Sequence, residues 1–249
     1  MSIGAEVAAP LPFLRRYARA LTGSQTTGDA FVQATLEAAL ADQALADSLK
    51  GGRVPLYAEN DGGSVHESAA QAQLTRITPL NRQALLLTTV EDFSPAEAGE
   101  IMGADEGEVE ALVREAIADI ESENTTSVLI IEDEPLISMQ LEDLVRSLGH
   151  EICGTAATRT QAQQVVAEQT PGLVLADIQL ADGSSGLDAV DDILAIDMVP
   201  VIFITAYPER LLTGDRPEPT YLITKPFQED TVRAAISQAL FFGSSKPLN

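Results

Sequence analysis

Beyond residue 127 the chain repeats one pattern: a short apolar run rich in Val and Ile, a polar ending, then an amphipathic stretch. The first run, Val128-Leu-Ile-Ile131, shows no alternation, so it suits a strand covered on both faces. Ile137, Leu141, Leu144, Val145 and Leu148 fall on one side of the helix expected to follow, and Gly149 ends it. Further strands are expected near 151–154, 173–176, 199–204 and 221–223, with helices near 160–168, 186–196 and 228–241. Strands joined by helical crossovers pair in parallel, and right-handed crossovers wind the sheet doubly. Chemistry in such sheets gathers outside the carboxyl ends of the strands.

Those ends are polar. The first strand runs into Glu132-Asp-Glu134, the third ends at Asp177, the fourth at Thr205 and the fifth at Lys225-Pro226. Carboxylates brought together from strands one and three repel unless a hard divalent cation lies between them, and Mg2+ favours a few carboxylates with retained waters. A carboxylate can also attack a phosphoryl group, with a cation and an ammonium stabilising the transferring oxygens. Asp177, Mg2+ and Lys225 fit those roles. Taken singly, each residue reads as a helix cap or a turn, but four endings pointing to one site do not.

Over about 127–242 the sequence resembles the receiver domain of two-component response regulators. The matching pieces are Val128-Leu-Ile-Ile-Glu-Asp-Glu-Pro135, Leu173-Val-Leu-Ala-Asp-Ile-Gln-Leu180 with Asp182-Gly183, Ile202-Phe-Ile-Thr-Ala206 and Ile223-Thr-Lys-Pro-Phe227. The resemblance implies a flavodoxin-like (βα)5 fold with Asp177 as phosphoacceptor. Glu132, Asp133, Asp177 and the carbonyl of Gln179 are then the Mg2+ ligands, and Thr205 and Lys225 contact the phosphoryl group. The family's switch aromatic usually lies three residues before the lysine; that position here is Leu222, with Tyr221 and Tyr207 as the neighbouring candidates.

The polar, aperiodic stretch Glu121-Ser-Glu-Asn-Thr-Thr-Ser127 separates this half from a helical one, so the expected domains are 1–126 and 127–249. Helices are expected over 11–21, over 29–40 behind Thr26, Thr27 and Gly28, and in a third stretch ending near Lys50. The turn-rich segment 51–70 reads as a connection between a region at 8–50 and another at 71–122. Three helix starts follow: Thr78 before Pro79, Ser94 with Glu97, and Asp105 with Glu108, the last two being capping boxes. Gly103 ends one helix, and Val109, Leu112, Val113, Ala116 and Ile120 share a face of the next, giving a helix-turn-helix.

This helical half resembles an extracytoplasmic-function sigma factor. Tyr17-Ala-Arg-Ala-Leu-Thr-Gly23 and Asp29-Ala-Phe-Val-Gln-Ala-Thr-Leu36 look like its region two, and 80–120 like region four. A true region four needs a basic recognition helix. Here 12 acidic residues and one basic residue lie between Glu91 and Glu123, and the chain carries 15 Lys and Arg against 38 Asp and Glu, a net charge of -23. Counterion release cannot drive DNA binding from such a surface.

A sigma-like half followed by a receiver is similar to PhyR-type general stress response regulators, which are anti-anti-sigma factors. That resemblance implies a NepR-type anti-sigma partner, a sensor histidine kinase or phosphotransfer protein as phosphoryl source, and a receiver that packs on the sigma-like domain until phosphorylated. No direct DNA or membrane binding and no turnover chemistry are expected. The alternatives are a DNA-binding response regulator and a phosphoryl-handling enzyme.

The remaining chemistry is sparse. His66 and His150 read as surface residues, and the lone Cys153 as a small apolar side chain in a strand. Apolar runs stay well short of the roughly 20 residues of a membrane span, and the N-terminus has no basic and apolar signal pattern, so a cytoplasmic protein is expected. The segment 241–249 begins apolar and ends polar.

Overall fold

The computed structural model describes residues 10–41, 52–61, 78–121, 125–180, 183, 185–194, 199–208, 211 and 219–244. The chain forms two compact units, Met1–Asp119 and Ile120–Asn249.

In the first unit, α1 (Leu11–Thr22) buries Leu14, Tyr17, Ala18 and Leu21. The following helix, α2 (Gln25–Ala41), begins four residues before the expected start and runs through Gly28. Gly28 is a contact and not a break: a Cβ there would lie 2.6 Å from the Arg19 amide nitrogen and 2.7 Å from its Cα, so only glycine lets α1 and α2 approach this closely. The expected third helix and His66 lie outside the described residues.

The segment read as a turn-rich connection contains α3 (Arg53–Asp61), which buries Leu56 and Tyr57. Pro55 sits in its first turn, where the missing N–H costs nothing. Nine residues with two adjacent buried positions give too little periodicity to reveal a helix. Next come α4 (Leu80–Thr89), α5 (Pro95–Met102) and α6 (Glu106–Glu121). Thr78 does not cap α4; its hydroxyl donates to the Leu21 carbonyl. Both capping boxes form. Ser94 and Glu97 satisfy each other's amides, and Asp105 and Glu108 do so reciprocally at 2.9 Å. Gly103, at φ 69°, closes α5 in the left-handed conformation that favours glycine. Val109, Ala116 and Ile120 form the buried side of α6, with Leu112 and Val113 half-buried.

The second unit alternates β1 (Ser127–Ile131), α7 (Pro135–Ser147), β2 (Glu151–Ala156), α8 (Arg159–Glu168), β3 (Leu173–Ala176), α9 (Gly186–Leu194), β4 (Val201–Thr205), β5 (Tyr221–Thr224) and α10 (Glu229–Ser244). The strands pair in parallel in the order β2-β1-β3-β4-β5, a flavodoxin-like sheet. Leu129, Ile131, Val174, Ala176, Phe203 and Leu222 face Ala162 of α8 and Ala189, Val190 and Ile193 of α9. Helix α7 packs on β1 and β2, and α10 on β4 and β5.

Register places the site. Ile131 lies beside both Ala156 and Ala176, so β1 and β3 stop at one level, and the next residues, Glu132 and Asp177, leave the sheet side by side. Their backbones stay tied: the Glu132 amide donates to Ala156 and the Asp177 amide to Ile131, each at 2.8 Å.

His150 is not a surface residue. It is buried, and its Nδ1 accepts from the Thr126 amide at 3.4 Å, because the turn at Gly149 folds it under the start of the sheet. Cys153 packs half-buried against the core, and burial pushes its thiol above the ordinary range, as suits an apolar role. Among the described residues no helix is long and apolar enough to cross a membrane.

Candidate functional site

At the carboxyl edge of the sheet, one ammonium serves three carboxylates. Lys225 Nζ lies 2.7 Å from Glu132 Oε2, 2.7 Å from Asp177 Oδ2 and 3.4 Å from Glu134 Oε1. Glu132, Asp177 and Lys225 are almost wholly buried, whereas Glu134 is exposed. Burial works against the lysine's charge, but hydrogen bonds to Asp177 and Glu132 outweigh it and hold the ammonium above the usual lysine range. For Glu132 the balance runs the other way: burial pushes its carboxyl above the ordinary range, and Lys225 offsets only part of that. The Glu134 amide donates to Glu132 Oε1 at 3.2 Å.

Asp177 is aimed by its own loop, the Gln179 amide donating to its Oδ1 at 3.2 Å. Gln179 is held in turn by an isolated bridge to Ser185. Thr205 ends β4 fully buried; its Oγ1 accepts from the Tyr207 amide at 3.2 Å, and its carbonyl accepts from the Lys225 amide at 2.8 Å. Asp177, Glu132, Thr205 and Lys225 therefore meet at one edge, as expected from the strand endings, and Gln179, expected there from the receiver resemblance, lies beside Asp177.

Two details go beyond that reading. Carboxylate oxygens of Glu132, Glu134 and Asp177 lie within 4.8 Å of one another, and half-buried Asp133 does not join this group. Glu134 belongs to the same acidic run, but sequence alone cannot say that its carboxylate reaches Lys225 from the exposed side. The two tyrosines also separate. Tyr221 is buried, its hydroxyl donating to the Gln238 carbonyl at 3.2 Å, whereas Tyr207 is 41% exposed directly after Thr205. Three hard carboxylate donors sharing one ammonium match the donor set of Mg2+.

On the helical unit, the sites of a DNA contact carry the wrong charge. Asp92, Glu97, Glu100, Asp105, Glu106, Glu108, Glu110, Glu115 and Asp119 are exposed around α5 and α6. Arg114 lies 3.8 Å from Glu110. Glu91, counted from sequence with this acidic surface, is instead fully buried against Arg16, Arg53 and Tyr57.

A five-stranded parallel sheet with this acidic pocket and lysine is the receiver of a response regulator, here joined to a helical unit with a helix-turn-helix. Residues 128–237 match the response regulator receiver domain, 7–59 the Sigma2 domain of PhyR, and 74–123 the sigma-like domain of response regulator PhyR. The chain is 52% identical to the phyllosphere-induced regulator PhyR of Methylorubrum extorquens, over 98% of this chain and 97% of that one. The anti-anti-sigma factor PhyR of Bartonella quintana is 51% identical, with a TM-score of 0.88 over 97% of this chain and 96% of that one. A structure of that anti-anti-sigma factor with the anti-sigma factor NepR is 51% identical over 97% of this chain and 99% of that one, with a TM-score of 0.42. This chain belongs to the PhyR family of response regulators.

Proposed function

We propose that this protein is a phosphorylation-activated anti-anti-sigma factor. Its receiver takes a phosphoryl group from a sensor histidine kinase or phosphotransfer protein, and its sigma-like half then sequesters a NepR-type anti-sigma factor, releasing an extracytoplasmic-function sigma factor. The likeness to PhyR along the whole chain supports this reading, and so does the name anti-anti-sigma factor borne by the Bartonella quintana relative.

In the transfer step an Asp177 carboxylate oxygen attacks phosphorus, the phosphorus–nitrogen bond of the donor phosphohistidine breaks, and an acyl phosphate forms on Asp177. Glu132, Asp177 and the Gln179 carbonyl, with Asp133 or Glu134, are the proposed holders of Mg2+. When bound, the ion neutralises charge on the transferring oxygens. Lys225 is already hydrogen-bonded to Asp177, so its charge stays at the oxygen where the phosphate is built. Thr205 contacts the phosphoryl group, and Tyr207, whose amide donates to Thr205 Oγ1, is the better placed tyrosine to carry that change outward. Tyr221, tied to α10 through its hydroxyl, is the weaker switch candidate.

The observation that carries the partner class is the sign of charge around α5 and α6. Nine exposed carboxylates against Arg114 make these helices unfit for duplex phosphates and fit for a protein ligand. Moving a two-state protein from 1:99 to 99:1 requires about 5.5 kcal/mol of differential stabilisation, shared between phosphate and partner. Linkage requires an anti-sigma factor that prefers the phosphorylated form to stabilise it reciprocally.

The test is binding to a NepR-type anti-sigma factor of the same genome, with and without a phosphoryl donor and Mg2+, using Asp177→Ala as control. Binding strengthened by the donor in wild type alone is the expected result. Phosphorylation without effect on that binding would overturn the partner assignment, and a salt-sensitive shift of promoter DNA at low salt would favour direct transcriptional action.

A further inference from the structure

Glu91 stands between α4 and α5, in the part of the chain that matches the sigma-like domain at 74–123, yet its ligands come from the part that matches the Sigma2 domain at 7–59. From α1, Arg16 donates to Glu91 Oε1 through Nε at 3.0 Å and Nη2 at 2.8 Å, and Nη2 also reaches the Val90 carbonyl at 3.1 Å. From α3, the Tyr57 hydroxyl donates to Oε2 at 2.7 Å, while Arg53 Nη2 lies 3.3 Å from Oε2 and 2.8 Å from the Glu91 carbonyl. Aromatic rings close the cluster. The Arg53 guanidinium stacks 4.5 Å from the Phe93 ring centre, Tyr57 meets Phe93 edge-on at 5.0 Å, and Tyr17 lies 5.2 Å from Tyr57. Both oxygens of one wholly buried carboxylate are thus held by side chains from two other helices.

Apolar contacts tolerate small slides, because a displaced methyl group meets another apolar surface. A buried carboxylate does not, since moving it away from its donors leaves charge unpaired in a low-dielectric interior. The direction of the hydrogen bonds adds an angular constraint that burial of Leu and Val does not supply. A second tie runs the same way, the Thr78 hydroxyl before α4 reaching the carbonyl of Leu21 at the end of α1.

We propose that Arg16, Arg53, Tyr57 and Glu91 form a lock that fixes the region-two-like helices against the region-four-like helices, so that the partner meets one pre-formed surface spanning both. The lock itself rests on the geometry above; its consequence for partner binding rests on the anti-anti-sigma reading. Glu91 is here a positioning residue, which needs no contact with the partner. If loosening the lock leaves the competent arrangement populated about one time in ten, apparent partner affinity falls about tenfold.

The test uses the full chain with Cys153→Ser and spin labels at Ala34→Cys on α2 and Ala111→Cys on α6, both exposed positions. Pulsed electron spin resonance should give a narrow inter-label distance distribution in this background and a broad one after Glu91→Gln. Affinity for the phosphorylated protein's anti-sigma partner should fall about tenfold, with phosphoryl uptake at Asp177 unchanged. Tyr57→Phe removes one donor but keeps the rings and both arginines; it should broaden the distribution less, and it carries the test if Glu91→Gln loses its helical circular dichroism. A distribution as narrow in both variants as in the background would overturn the lock. A broad distribution with undiminished affinity would overturn its role in positioning. If the background protein fails to bind the partner at all, the functional reading falls, and the distances still decide the lock.

Discussion

The two units each bury an acid cluster, and the clusters differ in stoichiometry. In the helical unit a single carboxylate, Glu91, receives two guanidinium groups and a phenol. At the sheet edge three carboxylates share the ammonium of Lys225. The first arrangement has donors on both carboxylate oxygens and acts as structure. The second sets three carboxylates on one ammonium, so Lys225 only partly offsets the burial that raises the Glu132 carboxyl, and the surplus of hard oxygen donors suits a hard cation. The ratio of donors to carboxylates, more than the presence of buried acid, separates a structural cluster from a reactive one.

The largest expected effect lies on the reactive side. Asp177→Ala should abolish phosphoryl uptake from acetyl phosphate, and chelating Mg2+ should do the same in wild type; full labelling of the variant in a gel assay would refute the phosphoacceptor assignment. On the structural side, Glu91→Ala leaves Arg16 buried without its carboxylate and should lower the unfolding free energy of the helical unit by about 3–5 kcal/mol. Urea titration followed by circular dichroism reads this, and a loss below about 1 kcal/mol would place Glu91 with ordinary surface pairs. Smaller still, Ser94→Ala or Asp105→Ala removes one half of a capping box and should cost about 1 kcal/mol each in the same titration.

The smallest effect is a pH dependence at a third acid cluster. Burial raises the Asp29 carboxyl, but hydrogen bonds from Arg19 and Arg15 outweigh it, so its folded-state pKa lies below the ordinary value. A lowered carboxyl contributes stability that is present above the unfolded value of about 3.9 and is lost as pH falls through the folded value. Asp29→Asn should therefore flatten the acid limb of the helical unit's stability below about pH 4. A variant whose acid limb superimposes on wild type would show that Arg15 and Arg19 do not hold Asp29 in solution.

Much of the receiver was legible in residue order. Val128-Leu-Ile-Ile131 and 173–176 are short unbroken apolar runs that only a doubly covered sheet can use, and the polar residues that follow them mark the edge where chemistry collects. The capping boxes at Ser94 and Asp105 were equally readable, because a cap is a contact across three residues. What escaped depends on distant partners. The helix at 53–61 owes its burial to α5 and to Tyr17 of α1 and Phe93 after α4, and Gly28 reads as a breaker until Arg19 is seen against it.

The sequence by itself determined the alternation of strands and helices, the identities of Asp177, Thr205 and Lys225 at strand ends, and the acidic sign of the helix-turn-helix, all of which follow from local pattern and charge. Only the tertiary structure decided that Glu134 brings a third carboxylate to Lys225 and Asp177, that Tyr221 is buried while Tyr207 is exposed, and that Glu91 lies inside and not on the acidic surface. The physical reason is that such placements depend on residues distant in the chain. Charge and hydropathy are properties of a residue, whereas the partners that make burial of a carboxylate or hydroxyl tolerable come from elsewhere in the chain and are met only when it has folded.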